Sequence, residues 1–67
     1  MELSARNRIP GKIKAIRLGE VMAEVIIGAG ENEIVAVITR SSAERMKLSV
    51  GDKVFAVIKA TEVMVSK

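Results

Sequence analysis

Short runs rich in valine and isoleucine, separated by glycine, asparagine and aspartate, constrain this 67-residue chain most strongly. Branched side chains favour extended strands, and turn residues at these short intervals separate strands rather than long helices. One short helix is also predicted, Ser42–Lys47, because Ser41-Ser42-Ala43-Glu44 has the spacing of a capping box. The predicted strands are Lys12–Leu18, Val21–Ile27, Ile34–Thr39, Val54–Lys59 and Val63–Val65.

The order of these elements predicts an all-β fold. Three strands, a short helix and two further strands follow the order of a small five-stranded barrel of the OB type. An SH3-like barrel is the nearest alternative. A chain of 67 residues is one small domain, so residues 1–67 are expected to fold as a single unit.

The third predicted strand is apolar on both faces. Ile34, Ala36 and Ile38 alternate with Val35 and Val37, whereas an isolated small barrel normally keeps its outer face polar. The chain contains no cysteine or histidine, so neither a disulfide nor an ordinary zinc site can reinforce a core of this size. Self-association is therefore expected, although β-branched residues also occur outside for strand propensity alone.

The composition argues against several functions. Without histidine or cysteine the chain has no Ser-His-Asp triad and no thiol nucleophile, so we expect no enzyme. Phe55 is the only aromatic residue, which opposes a nucleic-acid-binding OB module despite the isoelectric point of about 9.7. No apolar stretch approaches the roughly 20 residues that span a bilayer. We expect a cytoplasmic protein without nucleic-acid or membrane partners.

Several motifs spread over nearly the whole chain resemble one family. The opening Ser4-Ala5-Arg6-Asn7, followed by Gly11-Lys12-Ile13, is the most specific of them. The others lie in the second strand, at the entry to the helix and in the second half of the chain: Ala23-Glu24-Val25, Val37-Ile38-Thr39-Arg40-Ser41-Ser42-Ala43, Leu48-x-x-Gly51-x-x-Val54 and Ala56-Val57-Ile58-Lys59-Ala60-Thr61-Glu62-Val63-Met64. In these residues the chain resembles the molbindin (Mop) family of small molybdate- and tungstate-binding proteins.

The resemblance implies an assembly and a ligand. Dimers that exchange a strand would associate into a homohexamer, a trimer of dimers, with oxyanion sites between subunits. Molybdate or tungstate would be the bound ligand, held as the oxyanion for storage and homeostasis, with no organic cofactor and no direct cation ligands. Matching the family's motifs residue by residue implies an oxyanion site of Ser4, Ala5, Arg6, Thr39, Ser42, Lys59 and Ala60.

The same residues have simpler structural interpretations. Ser41 and Ser42 could serve as helix caps, and Thr39 could be an ordinary strand residue. Lys59 could be a solvated charge at a sheet edge. If these interpretations hold, the chain is an assembly module without a ligand, which is the second alternative to oxyanion binding.

A second class of oxyanion site near a threefold axis is also implied by the resemblance. In relatives a hydroxyl group can occur near the start of the second strand, where this chain has Met22. Glu20 adds a negative charge to the same turn, which disfavours an anion. No residues are therefore assigned to this second site.

Overall fold

Four antiparallel strands form one sheet in residues 6–67, the part of the chain that the structure, a computed structural model, describes. The strands are β1 (Asn7–Leu18), β2 (Met22–Ala29), β3 (Asn32–Thr39) and β4 (Lys53–Ile58). One helix, α1 (Arg40–Arg45), joins β3 to the loop before β4, and a 3-10 helix, Ala60–Glu62, follows β4. The order across the sheet is β3-β2-β1-β4, so the all-β prediction with one short helix between the third and fourth strands is confirmed.

The first strand is longer than predicted, beginning at Asn7 rather than Lys12. Its first half pairs with β4, from Asn7 opposite Ile58 to Lys12 opposite Lys53. Its second half pairs with β2, ending with Leu18 opposite Ala23. Pro10 is accommodated because residues before Lys12 have a hydrogen-bonding neighbour on only one side, where a missing N–H need not break a ladder.

The glycine-rich segment between the second and third strands is a hairpin connection. Ala29 pairs with Asn32, which leaves Gly30 and Glu31 as a two-residue turn. Gly30 has a φ of +63°, a conformation that glycine adopts without the strain a side chain would add. The turn fixes the register that places Met22 opposite Thr39 at the far end of the pair.

The helix begins two residues earlier than predicted, at Arg40 instead of Ser42. Its N-cap is Thr39, whose hydroxyl oxygen accepts a hydrogen bond from the Ser42 backbone N–H at 3.1 Å. The predicted capping box at Ser41-Ser42-Ala43-Glu44 is therefore wrong. Glu44 lies one turn from Arg40 instead and forms an ion pair with it at 3.6 Å.

The predicted fifth strand is not formed within this chain. After the 3-10 helix, Val63–Val65 has no regular secondary structure and pairs with none of the four strands. A strand exists only where its backbone groups find a partner, and within residues 6–67 the segment runs past the end of β4 without one. The expectation of five strands closing a barrel is wrong for the single chain, whose edge strands β3 and β4 are not paired with each other.

The core lies on one face of the sheet. Ile13, Val25, Ile27 and Ala56 are buried together, and side chains from β3, the loop after α1 and β4 pack around them: Ile34, Ala36, Ile38, Leu48 and Val54. An apolar cleft of about 190 Å³ remains on this face, lined by all four strands. None of the helices in the described part of the chain has the length and apolar character needed to cross a membrane.

Candidate oxyanion-binding site

The structure brings together some of the predicted site residues and separates others. Ser4 and Ala5 lie outside the described residues. Thr39 and Ser42, named here the hydroxyl cluster, meet at the junction of β3 and α1. Arg6, Lys59 and Ala60, named here the cationic cluster, lie where β1 begins and β4 ends.

The hydroxyl cluster is held by two short hydrogen bonds. The Thr39 Oγ1 hydroxyl donates to Ser42 Oγ at 2.7 Å and accepts from the Ser42 backbone N–H at 3.1 Å. Thr39 closes β3 in an extended conformation and caps α1, so backbone geometry fixes the position of its side chain. A longer contact of 3.4 Å joins Thr39 Oγ1 to Ser41 Oγ. Thr39 is therefore both the last residue of β3 and the N-cap of α1. The sequence pattern suggests this cap role for the neighbouring Ser41 and Ser42.

The direction of these bonds leaves one hydroxyl proton available. Thr39 directs its proton at Ser42, and Ser42 Oγ also accepts a longer contact from the Arg45 guanidinium at 3.4 Å. A serine hydroxyl has one proton and two acceptor lone pairs, so these two donors occupy its acceptor positions. The Ser42 hydroxyl can then donate outward, the polarity that an anion requires.

Arg45, which the sequence motifs do not select, also contacts the hydroxyl cluster. Its Nη2 atom contacts Ser42 Oγ because residues three apart lie on the same side of a helix. The signal available in the sequence was this spacing of three from Ser42, which a search for hydroxyl-bearing motifs overlooks. The neighbouring cation, Arg40, makes other contacts, since it pairs with Glu44 and donates from Nη1 to the Gly19 carbonyl at 3.1 Å.

The cationic cluster surrounds the end of β4. Lys59 follows β4 and caps the 3-10 helix, where its own carbonyl accepts from the Glu62 N–H at 2.9 Å. Its side chain is exposed and, within residues 6–67, forms no ion pair. Arg6 and Ala60 line one shallow depression, which also includes Arg8. This end of the sheet therefore offers positive charge to solvent.

The two clusters lie at opposite ends of the sheet. Thr39 lies opposite Met22 at the start of β2, next to the Leu18–Ala23 pair at the end of β1. Lys59 follows Ile58, which lies opposite Asn7 at the start of β1. Since β1 rises about 3.3 Å per residue over 12 residues, the clusters are separated by most of the strand's length. One ion cannot contact both clusters of the same chain.

The turn between β1 and β2, where the resemblance implies a second class of oxyanion site, lies within the described residues. Met22 stands opposite Thr39 in the β2–β3 register, and its side chain is exposed. Glu20 is exposed in the turn between β1 and β2. Neither side chain supplies a hydrogen-bond donor to an anion when the carboxyl group is ionised.

Comparison with known families finds one matching family model. The model of the TOBE domain matches residues 3–65, which is nearly the entire chain. The match includes both the hydroxyl cluster and the cationic cluster, as well as the first two motif residues that the structure does not describe.

Individual relatives and a solved structure agree with this match. The chain is 39% identical to molybdenum-pterin-binding protein 1 of Clostridium pasteurianum over 97% of each sequence. It is 46% identical to the molybdenum transport protein ModE of Azotobacter vinelandii over 98% of its own length, but it spans only 25% of that longer protein. The structure of a molybdate-binding protein from Sporomusa ovata superimposes with a TM-score of 0.94 at 42% identity, covering all of both chains.

Proposed function

Because the chain belongs to the TOBE-domain family, and within it to the small molybdenum-pterin-binding proteins of the molbindin type, we propose that it binds molybdate. The observation that carries the proposal is the hydroxyl cluster, whose geometry leaves the Ser42 hydroxyl as an outward donor. The molybdate-binding relatives indicate the chemical class of the ligand.

The chemistry of the ion fits these residues. Molybdate is a tetrahedral dianion with four acceptor oxygens and no donors, so its receptor must supply N–H and O–H groups from several directions. Ser4, Ser42 and Lys59 would donate from side chains, and the backbone N–H groups of Ala5, Arg6 and Ala60 would add donors. Tungstate has nearly the same size and charge and would bind the same residues.

The free energies involved indicate that one cluster alone cannot hold the ion. Micromolar affinity corresponds to about −8.2 kcal/mol, whereas losing the freedom of two separate molecules costs an estimated 4–15 kcal/mol. A hydrogen bond to a charged group contributes roughly 1.5–3 kcal/mol. The hydroxyl cluster would need several further donors, and the cationic cluster offers donors together with positive charge.

A site between subunits reconciles this requirement with the separation of the clusters. If the end of β4 in one copy meets the β3–α1 junction of another, both clusters can contact one ion. Exposed apolar surface supports such an assembly, since Val35 and Val37 on the outer side of β3 are 59% and 61% exposed. Monomeric proteins rarely leave adjoining apolar side chains uncovered to this degree.

Strand exchange is the proposed form of the dimer. Val63–Val65 is apolar and unpaired, with Met64 and Val65 93% and 92% exposed. Residues of the edge strands β3 and β4, which are not paired with each other in the described chain, line the apolar cleft. The segment of one copy would add a strand to the other and cover its cleft, and dimers would associate into a homohexamer.

The proposed biological role follows from reversible binding in which the oxyanion is not chemically changed. We propose one domain, residues 1–67, that stores molybdate or tungstate in the cytoplasm and releases it as the free concentration falls. It would act without an organic cofactor and would not be an enzyme. Because the ion would bind only the assembled protein, binding would also stabilise the hexamer by mass action.

Isothermal titration of the purified protein tests the proposed function. Molybdate and tungstate should each give saturable heat, sulfate should give none at the same concentration, and the mass measured in parallel should be that of a hexamer. A protein that assembles but gives no heat with molybdate or tungstate would contradict the proposal. It would then be an assembly module whose hydroxyl cluster serves only to cap α1.

A further inference from the structure

The guanidinium of Arg45 lies at the hydroxyl cluster. We propose that Arg45 is a further oxyanion-binding residue, which supplies positive charge at the Thr39–Ser42 side of the site and orients the Ser42 hydroxyl toward the ion. This inference rests on the proposed function, because it assigns a new residue to the same site. Its geometric basis is the 3.4 Å contact from Arg45 Nη2 to Ser42 Oγ.

The charge of Arg45 is not neutralised within the described chain. The ion pairs formed in residues 6–67 join Lys14 to Glu33, Arg17 to Glu24 and Arg40 to Glu44. Arg40 and Arg45 thus differ although they belong to the same short helix: the first has a carboxylate and a carbonyl as partners, and the second has a hydroxyl group. An arginine whose polar contact is a hydroxyl oxygen retains its full charge for an anion.

The distance is short enough for this charge to act on the ion. An oxygen accepting a hydrogen bond from Ser42 Oγ would lie about 2.7 Å from it. Arg45 Nη2 would then be within roughly 6 Å of that oxygen, the range in which opposite charges interact strongly. A guanidinium carries five N–H donors, so the group that contacts Ser42 can also donate to the ion directly.

Arg45 also fixes the polarity of Ser42. Thr39 and Arg45 both donate to Ser42 Oγ, so a Ser42 proton that pointed toward either of them would meet another donor. The Ser42 proton avoids this repulsion when it points away from both residues. Arg45 therefore acts on the ion both by its charge and through the hydroxyl group that it polarises.

The alternative is that Arg45 merely stabilises the last turn of α1, where a cation is favourable near the carboxyl end of a helix. That role requires no ligand. It predicts that substitutions change thermal stability while molybdate affinity stays the same, which separates it from the proposal.

The test compares Arg45→Ala, Arg45→Lys and Arg45→Gln by molybdate titration over a range of salt concentrations. Loss of a charged hydrogen-bond donor should weaken affinity at least about tenfold in R45A, and R45Q, which lacks the charge, should be similarly weak. R45K should retain most of the affinity. The salt dependence of binding should be shallower in R45A and R45Q than in the wild type or R45K.

Arg17→Ala provides the matched control, since it removes the same charge from a side chain that is 80% exposed and only loosely paired with Glu24. R17A should bind molybdate like the wild type. The inference is overturned if wild-type protein binds and R45A binds as tightly as R17A. If R45A does not assemble, equal affinities of R45K and R45Q overturn it. No binding by the wild type would instead refute the proposed function.

Discussion

At the scale of single residues, Thr39 and Ser42 have different roles although both carry a hydroxyl group. Thr39 forms its hydrogen bonds inside the protein, accepting from the Ser42 N–H and donating to Ser42 Oγ. Ser42 receives those bonds and keeps its own proton for an external acceptor. Thr39 therefore caps α1, and in the proposed site it would position Ser42, which would contact the ion.

Substitution of each hydroxyl should separate these roles. Ser42→Ala should weaken molybdate binding by about tenfold or more, because a hydrogen bond to a charged group is lost. Its melting temperature should change little, since the Thr39 cap uses the backbone of residue 42. Titration calorimetry and thermal unfolding measure the two effects on the same sample.

Thr39→Ala should behave differently. Loss of an N-cap typically costs about 0.5–2 kcal/mol of stability, so this variant should unfold at a lower temperature and also bind more weakly. Thr39→Ser keeps the hydroxyl group and serves as the matched control, expected to restore both properties in large part. If T39A were as stable as the wild type, the cap assigned to Thr39 would be wrong.

Prediction from sequence reached some of these residues and missed others for identifiable reasons. Thr39 and Ser42 were predicted through family motifs, but the cap was placed at Ser41 because S-x-x-E spacing does not show where a strand ends. Thr39 remains extended to its last residue, and that fixes the helix start at Arg40. Arg45 was missed because its significance depends on a contact three residues away, which no motif records.

At the scale of secondary structure, β1 organises the sheet by pairing with different strands along its length. It adjoins β4 in its first half and β2 in its second half, and the two pairings overlap at Lys12. The register of the β1–β2 pairing shifts between Ile13 and Ala15, and Ile13 lies in the core. Glycine at position 11 permits the backbone of β1 to approach β2 closely.

Gly11→Ala should therefore destabilise the fold. A Cβ atom at this position would lie 2.6 Å from both the Gly28 carbonyl oxygen and Ile27 Cγ2, and backbone cannot yield as a flexible side chain would. Overpacking of this kind typically costs about 1–3 kcal/mol. Denaturant unfolding of the assembled protein measures the loss.

Gly30→Ala is the comparison variant for this prediction. Nothing lies within 4 Å of a Cβ built at Gly30, so its penalty comes only from the positive φ of +63°, which costs roughly 1–2 kcal/mol in a left-handed conformation. G11A should also reduce molybdate binding because a displaced β1 would move the cationic cluster at its start, whereas G30A should leave binding unchanged. Equal affinities in the two variants would contradict the expectation that the position of β1 affects the proposed site.

The elements were predicted well where local pattern decides them. The positions of β2, β3 and β4 followed from branched side chains and turns, with bounds that differ by at most two residues. The start of β1 was placed too late because Pro10-Gly11 has the composition of a turn, and only the pairing with β4 shows that a strand passes through it. Val63–Val65 has strand composition, but composition cannot supply a pairing partner.

At the scale of the whole molecule, a single chain keeps the two clusters apart and leaves apolar side chains uncovered. The hydroxyl and cationic clusters face different ends of the sheet, and apolar side chains remain exposed on β3 and after β4. The third predicted strand, which is apolar on both faces, indicates this surplus of apolar surface from the sequence alone. Which surfaces meet could not be predicted, because that depends on the separation of the clusters across the sheet.

Val35→Lys should disrupt the assembly. Val35 stands opposite Ile26 on the outer side of the sheet, so a charge there would be buried against apolar side chains if another subunit covers this face. The mass in solution should fall below that of the hexamer, and molybdate affinity should fall with it. Val50→Lys, at a valine 65% exposed in the loop before β4, should change neither property.

The most direct test of a site shared between subunits is complementation of two defective variants. Ser42→Ala removes the donor from the hydroxyl cluster, and Lys59→Ala removes the charge from the cationic cluster; each alone should bind molybdate weakly while still folding. When the two are unfolded and refolded together, random pairing should place an intact Ser42 beside an intact Lys59 in about a quarter of the sites. Titration of the mixed oligomer should then recover high-affinity binding at that fraction. If mixed oligomers form but bind no more tightly than either variant alone, the two clusters do not share an ion across a subunit interface.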